Sequence, residues 1–161
     1  MATSHQPPAT GSQLPAPSSQ NIDRRLLNIR RVILGVLLLG MTGLLAELFL
    51  LGHYEDLSQR IPLGVLAAGF ATVILELVHR RVWTLVLVRL MMTLFIFSGL
   101  LGVYFHFDGS REFQLEMNPS MSSTTLVWHV LRAKSPPTLS PGTLVQMGVL
   151  GLGYAYLRRT K

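Results

Sequence analysis

Apolar residues in this chain come in long blocks rather than in the short alternations of a soluble fold. The first block runs over 32–51, about the 20 residues that an α-helix needs to cross roughly 30 Å of hydrocarbon. Arg30 and Arg31 stand before it, and the polar turn Gly52-His-Tyr-Glu-Asp-Leu-Ser-Gln-Arg60 ends it. A second block, 61–78, has Pro62 in its expected first turn and closes on His79, Arg80 and Arg81. The third, 83–105, is the longest, with Trp83 at one end and Tyr104 and Phe105 at the other, as belt aromatics are placed. The fourth, 141–157, is short; Ser140-Pro141 opens it, and Tyr154, Tyr156 and Arg158 set its end among headgroups.

Between the third and fourth blocks lies an outer loop, 106–140. Phe113, Leu115 and Met117 alternate with polar residues and predict a short extended stretch. From Ser122 to Lys134, Leu126, Val127, Val130 and Leu131 recur at helical spacing around Trp128 and His129, which predicts a short interfacial helix. Residues 1–29 read as a basic-ended cytoplasmic tail, disordered over its Pro-, Ser- and Gln-rich beginning. The expected fold is therefore all-α: a polytopic four-transmembrane-helix bundle over 30–161.

Composition agrees with the pattern. The chain of 161 residues is 49% hydrophobic and 14% charged, where soluble domains carry about 25% charged residues. The formal net charge of +6 changes meaning once positions are read. Arg24, Arg25, Arg30, Arg31, Arg80, Arg81, Arg158, Arg159 and Lys161 flank apolar blocks instead of forming one basic face, so nucleic acid is not the expected partner. These residues all fall on one side of a four-span topology. The opposite loops hold Arg60, Arg111, Arg132 and Lys134 among Glu55, Asp56, Asp108, Glu112 and Glu116. The positive-inside rule then puts both termini in the cytoplasm, and compact size with short loops suits a bacterial cytoplasmic (inner) membrane. The absence of cysteine excludes disulfides, thiolate metal sites and thiol redox chemistry.

Glu47, Glu76 and Arg89 are ionisable residues inside apolar blocks, where a central charge costs at least about 2.5–3.5 kcal/mol. Glu76 and Arg89 lie at similar depth on adjacent spans and are expected to form a structural ion pair. Glu47 shares a face with Gly40 and Gly43, a spacing that favours close helix approach and leaves a carboxylate in need of a donor. With His53, Glu55, Asp56, His106 and Asp108 it outlines an outer acid/histidine cluster, a candidate for metal or haem ligation without standard ligand spacing. Small-residue pairs (Gly64/Ala68, Ala67/Ala71, Ser98/Gly102, Gly151/Ala155) favour close packing within the bundle or in a homo-oligomer. No catalytic motif is present. The sequence predicts a non-enzymatic accessory or structural subunit of a membrane assembly, partnered by lipid and by other membrane proteins or its own copies. The competing functions are a small oligomeric ion or proton transporter and a metal- or haem-dependent redox protein.

Overall fold

The computed structural model describes residues 19–52, 54, 55, 57–132 and 139–158. Every regular element among them is helical: α1 (Ser19–Leu50), α2 (Leu57–His79), α3 (Val82–Met117), α4 (Ser123–Leu131) and α5 (Leu139–Leu157). Three of these, α1, α2 and α3, are long and apolar enough to cross a membrane. Only between 22% and 28% of their apolar stretches is buried inside the protein, so most of that surface requires an apolar solvent.

Helix α3 packs along α2 on one side and α5 on the other, and α1 packs on α2 and α5. Among the described residues, the backbones of α1 and α3 do not come close to each other. The core lies between the four: Leu34, Leu37, Met41, Leu44 and Leu48 of α1, Leu66 and Val73 of α2, Leu85, Val88, Met92 and Phe95 of α3, and Leu144 and Met147 of α5. The α1 set steps by three and four residues, the spacing of a single helix stripe. Glycines let α3 and α5 approach most closely. A Cβ on Gly148 would lie 2.6 Å from the Met92 carbonyl oxygen, and one on Gly99 would lie 2.6 Å from that of Pro141. Hydroxyls turned toward the apolar surroundings satisfy themselves: Thr42 and Thr72 each donate to the carbonyl one turn back, Leu38 and Ala68, at 2.8 Å.

Element boundaries depart from the sequence reading in three places. Helix α1 starts at Ser19, inside the expected tail; its first turns hold no proline or glycine, and residues 1–18 lie outside the described residues. Helix α2 starts at Leu57, which sets Pro62 inside it rather than in its first turn. Helix α3 continues to Met117, so the expected extended stretch around Phe113, Leu115 and Met117 is helical. At 36 residues, α3 is about 54 Å long, far beyond a hydrocarbon core of roughly 30 Å. Local helix propensity continues without a break from 105 to 117, apart from Gly109, and Asn118 ends the helix with its N–H on the Gln114 carbonyl. The expected short helix is present as α4. Ser122 caps it by accepting from the Thr125 N–H at 3.5 Å, and Leu126 and Val130 are buried where it packs on α3.

Candidate functional site: a polar lock at one end of the helices

The turn between α2 and α3 is two residues long. Arg80 takes a left-handed conformation (φ 49°) and its N–H donates to the Glu76 carbonyl at 3.0 Å, which ends α2. Arg81 then opens α3, its N–H donating to the Thr84 hydroxyl at 3.1 Å. This hairpin places Glu76, one turn before the end of α2, beside Thr84, in the first turn of α3. Helix α5 runs antiparallel to α3, so its last turn, with Tyr154 and Arg158, arrives at the same level.

Glu76 has no exposed surface, and three side chains converge on it. The Tyr154 hydroxyl donates to Oε1 at 2.9 Å, and the Thr84 hydroxyl donates to Oε2 at 2.5 Å. The Arg158 guanidinium forms a salt bridge with Oε1. Thr84 has one hydroxyl proton and two acceptors in reach, the carboxylate and the Arg81 carbonyl at 2.8 Å. A carboxylate is the stronger acceptor. Arg158 also donates to the Arg80 carbonyl, so a single guanidinium closes both the charge of Glu76 and the end of α2.

The end of α5 is held in turn by arginines from the other helices. Arg30 of α1 donates to the Leu157 carbonyl, and Arg89 of α3 donates to the Ala155 carbonyl at 3.4 Å. Carbonyls in the last turn of a helix lack intrahelical donors and carry the negative end of its dipole, so cations suit them. Arg158, just past the helix, has its pKa drawn below the usual guanidinium range, first by burial and then by the positive charge of Arg30. It remains charged at neutral pH.

The expected Glu76–Arg89 pair is therefore replaced by Glu76–Arg158. Arg89 directly follows Val88 of the buried α3 stripe and is exposed, angled toward the end of α5 rather than toward α2. Tyr154 and Arg158 had the appearance of headgroup anchors in the sequence. The signal that identifies them as partners is topological: in antiparallel helices, the end of the last one returns to the level of Glu76.

The outer cluster is distributed differently. The buried stripe of α1 passes beside Glu47, which is exposed, as is Gly43; on that expected packing face Gly40 meets α5, at Met147. His106 occupies an exposed position on α3, whose backbone does not approach that of α1 among the described residues. Glu55 is exposed, and its carbonyl accepts from Arg60 at 3.2 Å. Asp108 pairs with Arg111 at 3.5 Å, one turn along α3. His53 and Asp56 lie outside the described residues. Among the described residues, no group of three His, Asp or Glu side chains gathers as a ligand set.

Comparisons of the chain with protein-family models, with curated sequences and with solved structures find no match.

Proposed function

We propose that this chain is a four-span integral membrane protein, with α1, α2, α3 and α5 crossing the bilayer and both termini in the cytoplasm. In this reading it serves as a non-enzymatic, structural subunit of an assembly in the cytoplasmic membrane. The observation that carries the reading is the engagement of Glu76. Among the described residues, Glu76 is the one ionisable side chain with no exposed surface, and it is held by donors from α3 and from α5 with its terminal arginine, an arrangement that joins helices. The span assignment for α5 draws on its packing along α3, on its 19 residues, equal to about 28 Å of helix, and on the one-sided distribution of arginines. Helix α4 then rests at the outer interface, where exposed Val127, Trp128 and Leu131 meet headgroups.

Two measurements on the same preparation test this. Gently solubilised membranes should yield the chain in a species well above its own 17.9 kDa, after allowance for detergent. Reconstituted vesicles should show no proton or cation flux above protein-free vesicles. Flux would establish the transporter reading, and a monomer that survives the mildest extraction would remove the assembly.

A further inference from the structure

Among the described residues, the polar lock carries more positive charge than carboxylates neutralise. Among the described residues, Glu76 is the only carboxylate at this end that forms an ion pair, and Arg158 takes it. Arg30 and Arg80 pair with no carboxylate there. Arg30 spends one nitrogen on the Leu157 carbonyl, while its Nε is buried without an acceptor among the described residues. A buried donor left without an acceptor carries a desolvation cost that a bound anion removes. The Arg80 carbonyl is engaged by Arg158, but its side chain is exposed and free to turn toward a ligand. The three arginines meet at one end of the helices. Arg158 bonds to the Arg80 backbone, and Arg30 bonds to the carbonyl of the residue before Arg158.

Each of these helices also carries an exposed apolar side chain within a few residues of the arginines or of the turn they close: Val32 on α1, Val78 on α2, Val82 on α3 and Tyr156 on α5. Guanidiniums at a helix end near exposed apolar surface match a ligand with a phosphate attached to hydrocarbon chains. We propose that Arg30, Arg80 and Arg158 at the end of α5 form a binding site for the phosphate of an anionic phospholipid headgroup, with the acyl chains lying against the neighbouring apolar faces. The site rests on the reading that this end of the helices meets the headgroups. Reporter topology tests that reading separately.

The full chain is titrated in phosphatidylcholine nanodiscs containing increasing phosphatidylglycerol, and bound phosphatidylglycerol is counted by native mass spectrometry. Loss of one guanidinium from the site should weaken retention about fivefold, the equivalent of about 1 kcal/mol per basic residue near an anionic surface. That result is expected for R30Q and for R80N. The second variant keeps the backbone carbonyl used by Arg158, and asparagine tolerates the left-handed conformation, so it decides the matter even where R30Q folds poorly. R24Q, at an exposed position near the start of α1, should change retention less than about twofold, since it lies outside the site. Equal losses in all three variants would reduce the site to diffuse surface charge and overturn the proposal. So would displacement of the lipid by inorganic phosphate at an ionic strength of about 0.15 M, which would make the ligand a free anion.

Discussion

Glu76 sits where a lone carboxylate would be intolerable, and its three donors come from residues 8, 78 and 82 positions away along the chain. Each donor also belongs to a helix end, so the pair and the caps fail together. A double-mutant cycle on Glu76→Gln and Arg158→Gln should therefore show strong coupling. Each single change should cost about 2–3 kcal/mol of stability in detergent, below the roughly 3–5 kcal/mol of a fully interior pair because Arg158 retains some access to solvent. The coupling energy should be about 1–2 kcal/mol. The parallel cycle on Glu76→Gln and Arg89→Gln should be additive within about 0.5 kcal/mol, since Arg89 bonds α5 instead. Coupling of Glu76 to Arg89 as strong as to Arg158 would return the pair to the one that depth alone suggests.

Among elements, the contact between α3 and α5 depends on glycine. Gly148→Ala places a methyl group against the Met92 carbonyl at 2.6 Å and the Ile96 nitrogen at 3.1 Å, both backbone atoms that move only if the helices separate. We expect a loss of about 1–3 kcal/mol, read from thermal unfolding. Gly43→Ala on α1 meets nothing within 4 Å and should be neutral or stabilising, by up to about 1 kcal/mol from helix propensity. Both residues sit among small neighbours in the sequence, and the outcome differs because one faces a helix and the other faces outward. Equal effects at the two positions would place α5 elsewhere.

At the scale of the molecule, the decisive feature is the length of α3. If one end lies at Arg81 among the headgroups, about 20 Å of helix stands beyond the far side of the hydrocarbon, where α4 packs on it. The native chain has no cysteine, so single cysteines report cleanly. Ser110→Cys should react with a membrane-impermeant maleimide added to the outer side of intact cells, and Ser98→Cys should not. Reporter fusions near Arg81 and after Lys161 should read as cytoplasmic, and a fusion near Ser122 as external. A cytoplasmic signal at Ser122 would invert or break the four-span topology.

What the amino-acid sequence determined by itself is what depends on local composition and length. Blocks of about twenty apolar residues must find an apolar solvent whatever they pack against. The helical class, three membrane-length helices and the short helix capped by Ser122 were legible for that reason. Three-dimensional structure alone decided which face of each helix turns inward. In a helix that is apolar all round, the hydrophobic pattern has no direction, because lipid and protein core accept the same side chains. Thus Glu47 and Gly43 read as a packing face yet point outward, and the run 107–117 read as extended yet continues α3. The partner of Glu76 was likewise a matter of arrangement. Depth along a span reduced the candidates to residues near one end, and only the return of α5 beside α3 selected Arg158 over Arg89.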